Sequence, residues 1–161
     1  MPPDPMTTRV SNGPNLARKS VVLEISSSFE MLKLVDGASE QFGTMAGLDE
    51  DSVHHLSVAV REAVANGIKH GNACDERRRV RIEYAVRNDD PQPQVIVSVR
   101  DEGEGFDLKS LADPLAPENV SVTSGRGILF MRSFMDDVQV RSAPRGGTEV
   151  LMVKTIRQKS S

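Results

Sequence analysis

A chain of 161 residues that is 38% hydrophobic can bury one core, and a second independent domain is not expected. With no Trp, one Tyr and five Phe that core must be mainly aliphatic, and a formal net charge of −3 supplies no overall attraction for nucleic acid. The single cysteine, Cys74, excludes a disulfide framework within the monomer. No apolar run approaches the roughly 18 residues of a membrane span, and the opening segment lacks the apolar core of a signal peptide, so a cytoplasmic protein is expected, with no membrane and no direct nucleic-acid partner.

Residues 1–18 read as a flexible leader, because Pro2, Pro3, Pro5, Gly13 and Pro14 interrupt both regular periods. Order is expected over 19–155. Ser20 to Ser26 alternates as a strand does, and Phe29, Leu32, Leu34, Val35 and Phe42 predict a helix ending before Gly47. The next helix should start between Asp49 and Ser52 and bury Val53, Leu56, Val60, Ala63, Val64 and Gly67. On it Glu62 and Asn66 are four apart, so they emerge from neighbouring turns of one face, and His70 continues that file. His54 and His55 lack a metal-ligand pattern and read as structural or exposed. Arg77, Arg78, Arg79 and Arg81 have no interleaved aromatics to stack bases, and a solvated turn or a partner-binding patch accounts for them.

Val80 to Val86 and Val95 to Val99 predict a hairpin, and Asp101 follows where the sheet gives way to a turn. A carboxylate held there can accept a hydrogen bond from an exocyclic amine such as adenine N6, while Gly103 and Gly105 let the backbone approach a flat ring. Neither the dinucleotide fingerprint nor the phosphate-loop lysine motif is present, and the spacing of a calcium loop is absent. Leu108 to Ser124 is poorly periodic, carries Pro114 and Pro117, and is long for a plain connection, which makes it a candidate lid. Ser124-Gly125-Arg126-Gly127 then forms a glycine turn before a helix from Gly127 to Phe134, whose first amides can receive phosphate oxygens. Val138 to Arg141 and Thr148 to Val153 finish the domain as strands, and 156–161 form a tail.

Four segments, REAVANGIKHGN at 61–72, DEGEGFD at 101–107, SGRGILFMRSFMDDV at 124–138 and SAPRGGTEV at 142–150, resemble in order and separation the ATP-binding module of gyrase-type ATPases, heat-shock chaperones, sensor histidine kinases and mismatch-repair proteins. Within that superfamily the chain is similar to the anti-sigma-factor serine kinases of the RsbW/SpoIIAB type, over about Lys19 to Lys154. The resemblance implies an α/β two-layer sandwich of the Bergerat fold, with a mixed, mainly antiparallel sheet and helices on one face. It implies ATP and magnesium as cofactors. Asn66 would bind the metal, Asp101 the adenine amine, and Thr148 would join the adenine network. Gly103 and Gly105 would shape the base pocket, and Ser124, Gly125, Arg126 and Gly127 would flank the triphosphate. His70 would help shape the pocket, and Glu62 would be the general base toward a serine hydroxyl. The implied partners are an alternative sigma factor and a STAS-domain anti-anti-sigma protein, with a homodimer expected and a place in stress-linked transcription control. Where the kinase pattern has a basic residue before the Ser-Gly, this chain has Thr123. Arg126 or Arg132 is then left to supply the charge, Arg126 from the nucleotide-facing turn, or phosphoryl transfer is weak. The alternatives are a switch kinase acting on a STAS scaffold and a nucleotide-responsive binding module with little catalysis.

Overall fold

The computed structural model describes residues 16–88, 92–103, 123–143 and 145–157, with the side chains of 16–18 and 123–126 left aside. The expected leader up to residue 15, Gly105, nearly all of the candidate lid and the end of the tail lie outside the described residues.

Strand β1 (Leu16–Ser26) begins ahead of the expected Lys19, and its pairing shifts register between Leu16 and Ser20. A single 3-10 turn (Phe29–Met31) leads into helix α1 (Leu32–Ala46), which Gly47 closes at φ 102, its amide reaching the carbonyls of Gly43 and Thr44. Leu32, Val35 and Phe42 are buried as their spacing predicts, whereas Phe29 and Leu34 face solvent. Helix α2 (Glu50–Asn66) starts where Asp49 accepts a hydrogen bond from the Ser52 amide at 2.7 Å, and Glu50 and Asp51 oppose the positive end of its dipole. Leu56, Val60, Ala63 and Val64 are buried along one face, with Val53 partly so.

Beyond Asn66 the helix does not continue in the same winding. Gly67–Gly71 forms a π-helix closed by the Asn72 amide on the Gly67 carbonyl at 2.8 Å. Four residues then no longer complete a turn, so the file of Glu62 and Asn66 stops at Asn66. The sequence carries no periodic mark of this change.

Strands β2 (Arg79–Arg87) and β3 (Gln94–Arg100) make the predicted hairpin, followed by helix α3 (Thr123–Phe134), β4 (Asp137–Ser142) and β5 (Thr148–Thr155). The described strands form one five-stranded sheet in the order β1-β2-β3-β5-β4, and all four ladders are antiparallel. Alternation decides the layers: Val80, Ile82, Tyr84 and Val86 with Val95, Val97 and Val99 turn inward and are buried, and the helices cover that face. Tyr84 is fully buried, its hydroxyl sharing a 2.8 Å hydrogen bond with Ser39, and burial pushes its phenol up to about 12.

The outer face carries an open depression of about 260 Å³ beside Glu149, which Arg100 reaches at 3.0 Å and Arg141 at 2.6 Å. Burial pushes the Glu149 carboxyl up, but the two guanidinium groups outweigh it and hold it below the usual carboxylate range. Helix α3 starts at Thr123 instead of Gly127, so the glycine turn expected before the helix is its first turn. Ile128 and Met131 are buried on the side that meets α2, and this packing overrides the weak helix propensity of Gly125 and Gly127.

Candidate functional site

The site has two halves joined by the π-helix. The first is built on Asp101, which the end of β3 delivers beside the start of β5. The Asp101 amide donates to the Thr148 carbonyl at 3.0 Å, and the amides of Thr148 and Gly103 donate to Asp101 Oδ1 at 3.1 and 2.9 Å. Asp101 is only 6% exposed and Thr148 4%. Burial raises the Asp101 carboxyl above its ordinary value, against the two backbone amides and the charge of Arg78.

Three glycines crowd this carboxylate. A Cβ at Gly71 would overlap Asp101 Cγ and Oδ2, one at Gly103 would overlap the Gly71 carbonyl, and one at Gly147, where φ is 84, would overlap the Asp101 carbonyl. Gly103 is one of the two glycines expected to shape a base pocket, while Gly71 and Gly147 carry no expectation from the sequence. Their signals were a glycine inside a helical pattern and a Gly-Gly pair before a strand.

The second half lies between α2 and the first turns of α3. Gly127 is buried there, and a Cβ on it would stand 2.5 Å from Asn66 Nδ2 and 3.0 Å from Glu62 Oε1. Both side chains therefore reach one point on the α3 backbone, as their four-residue spacing predicts. The first amides of α3, about one turn ahead of Gly127, have no intrahelical acceptor, and the positive end of the helix favours anions there. Among the described residues no group of three or more His, Cys, Asp or Glu could hold a metal by itself. The amide oxygen of Asn66 fits magnesium nevertheless, since that ion takes few protein ligands and completes its shell with substrate oxygens and water.

Gly67, in the joining turn, is buried with its Cβ direction 3.6 Å from Asp101 Cβ, so the two halves meet across the π-helix. His70, expected to continue toward the pocket, is exposed in that turn. Arg132 sits in the last turn of α3, where it reaches the Val138 carbonyl at 3.4 Å. That is about 9 Å along the helix from Arg126, which leaves Arg126 as the candidate cation at the glycine end. Gly125 lies in the first turn of α3, and the side chains of Ser124 and Arg126 are outside the described set. The basic cluster is partly neutralised, with Arg77 on Asp75 and Arg81 on Glu24, both at 3.0 Å. His55 packs its ring 5.1 Å from that of Phe134. No described helix is long and apolar enough to cross a membrane.

The pattern of the histidine kinase-like ATPase domain matches residues 25–154. An anti-sigma F factor of Oceanobacillus iheyensis is 34% identical over 108 residues, covering 66% of this chain and 71% of the relative. A serine-protein kinase RsbW of Listeria monocytogenes is 26% identical over 145 residues, covering 86% of this chain and 88% of the relative. A crystal structure of the RsbU and RsbW domains of a Mycobacterium tuberculosis protein superposes with a TM-score of 0.60 at 16% identity, over 84% of this chain and 32% of that longer one, and shows the shared fold. The chain belongs to the histidine kinase-like ATPase domain family, in its RsbW/SpoIIAB-type anti-sigma-factor branch.

Proposed function

We propose that this protein is an ATP-dependent serine-protein kinase that also sequesters an alternative sigma factor, its phosphoryl acceptor being a STAS-domain anti-anti-sigma protein. The observation that carries the reading is the meeting of Glu62 and Asn66 at the α3 backbone, one π-turn away from a buried carboxylate walled by glycines. Asp101 accepts the adenine amine, supported by Thr148, and Gly103 with Gly71 keeps that surface free of side chains. Asn66 would hold magnesium by its amide oxygen, and the ion would offset phosphate charge. Glu62 orients the acceptor serine and takes its proton as the serine oxygen attacks the γ-phosphorus. The bond from that phosphorus to the β,γ-bridging oxygen breaks, leaving phosphoserine and ADP. Arg126 supplies the counter-charge for the phosphates. Two copies form the working unit. Phosphorylation removes the STAS protein as a competitor for the sigma-binding protein, so kinase activity keeps the sigma factor held.

The experiment is transfer of labelled γ-phosphate from ATP, with magnesium, to co-encoded STAS proteins, beside capture of the sigma factor and mass measurement of the assembly. Labelled serine on one STAS protein, lost in Glu62→Gln with ATP affinity within a few-fold of wild type, is the expected result. Absence of label on every candidate, with ATP bound, would sink the kinase reading. Thr123 in the usual basic position favours a second reading, a nucleotide-responsive binding module. Under that reading sigma capture varies with nucleotide although no label is transferred.

A further inference from the structure

Asn72 has a part that neither its motif nor the proposed chemistry assigns. It is fully buried, and all of its amide group is in use: Nδ2 donates to Ser27 Oγ at 2.9 Å and to the Arg79 carbonyl at 3.0 Å, while Oδ1 accepts from the Glu102 amide at 2.8 Å. Ser27, itself buried, donates in turn to the Arg78 carbonyl at 2.8 Å. The amide can therefore stand only one way round, because a flipped group would set donors against the Glu102 N–H and an acceptor against the Arg79 carbonyl. Through its backbone the same residue closes the π-helix and accepts from the Asp75 amide at 3.0 Å. One side chain thus ties the end of β1, the start of β2 and the far end of the metal-site helix to the peptide that follows Asp101.

We infer that Asn72 is a positioning residue for base recognition, setting where the Asp101 carboxylate stands by fixing the Glu102 peptide. The inference rests on the reading of Asp101 as the adenine acceptor. The path is short: Glu102 is held by Asn72, and the next amide, Gly103, is one of the two donors to Asp101 Oδ1. The Thr148 amide is the other, so Oδ1 is committed to the scaffold and Oδ2 is the oxygen turned to the ligand amine. If Glu102 drifts, the Gly103 amide leaves Oδ1 and the carboxylate can rotate. The phosphate half, built on α2 and α3, does not depend on this link.

The test compares wild type with Asn72→Ala for binding of ATP, GTP and magnesium tripolyphosphate, with hydrogen exchange of the Glu102 amide read without nucleotide. Expected for the variant are exchange at Glu102 faster by about tenfold and an ATP-over-GTP ratio lower by about tenfold, the equivalent of one buried hydrogen bond. Tripolyphosphate affinity should stay within about twofold, since no phosphate contact is touched. Added to Asp101→Asn, the substitution should change the ratio no further, because the two act through one group. Where Asn72→Ala does not fold, Ser27→Ala is read in its place, as it removes an anchor of Nδ2 and should move the same ratio in the same direction by a few-fold. An unchanged ratio, unchanged Glu102 exchange, or equal losses of ATP and tripolyphosphate would each overturn the role of Asn72. A wild type that does not distinguish ATP from GTP would instead overturn the reading of Asp101, and the Glu102 exchange would still report the link itself.

Discussion

Gly71→Ala tests the glycine-walled pocket with a single methyl group. Gly71 is not among the glycines with positive φ, so its backbone accepts alanine without strain and any effect must come from contact. The new Cβ would overlap Asp101 Cγ and Oδ2 and lie 2.8 Å from Oδ1. To recover a normal contact the carboxylate must retreat by about 1 Å. The hydrogen bonds from Gly103 and Thr148, now 2.9 and 3.1 Å, would then pass beyond useful length.

Each is a bond to a charged acceptor worth about 1.5–3 kcal/mol, and water admitted by the shift replaces part of that loss. Replacing glycine in a helical turn returns up to about 1 kcal/mol. The net expectation is a loss of about 2 kcal/mol in unfolding free energy, and about thirtyfold weaker ATP binding if the misplaced carboxylate costs the same there. Urea unfolding and calorimetric ATP titration read the two quantities. Wild-type values in both would show that the carboxylate is not confined by Gly71 and that the pocket is wrongly drawn.

Asp101→Asn should cost the ATP-over-GTP preference while leaving stability at neutral pH equal to or above wild type. A carboxyl whose folded pKa is raised contributes stability at acid pH that is lost as pH rises through that pKa, so the ionised group is a burden at neutrality. For the same reason wild-type ATP affinity should fall on acidification from a pH above the ordinary carboxylate value of about 4, and an affinity flat down to that value would contradict it. Tyr84, raised from 10.0 to about 12, gives an alkaline limit. Stability should fall from about pH 10 to 12, by on the order of 2 kcal/mol, as the unfolded phenol ionises first. Denaturant midpoints with Tyr84→Phe as the control, in which that slope should vanish, check this. Asn66→Ala should make ATP binding insensitive to magnesium while leaving the melting temperature within a few degrees, as its side chain is only half-buried. A magnesium titration identical to wild type would remove Asn66 from the metal site.

Much of the fold was legible because its signals are local. The buried file Leu56, Val60, Ala63, Val64 and the alternation of β2 and β3 are patterns within one element, and Asp49 and Gly47 mark their helix ends by their own chemistry. Glu62 and Asn66 were legible for the same reason, being one helical turn apart. The start of α3 was not, since glycines at 125 and 127 read as a turn until α2 supplies a surface for the helix to pack on. Asn72 was invisible as a hub. Its partners Ser27 and Glu102 are 45 and 30 residues away, and only the folded sheet brings them together. The exposure of His70 was not legible, because the winding changes after Asn66 with no break in the apolar pattern: Ile68 is as buried as Val64.

The widened turn explains why Gly71 stands where an ordinary helix would be better served by alanine. It costs about 1 kcal/mol of helix propensity, and packing of Ile68 in the core offsets that cost. Gly67 and Gly71 both lie against Asp101, but only at Gly71 would a Cβ overlap the carboxylate; at Gly67 it would stand in ordinary contact, 3.6 Å from Asp101 Cβ. Local preference therefore gives way at the point where the proposed base site is joined to the proposed phosphate end, as it does where a site and not the fold dictates the residue. Because the five-residue turn is itself packed, and is closed by an asparagine that also holds the Asp101 loop, the separation between the Asp101 carboxylate and Asn66 is set by the fold. Under the proposed function, adenine and metal-bound phosphate would meet a spacing set in advance, and binding would not have to order that part of the site.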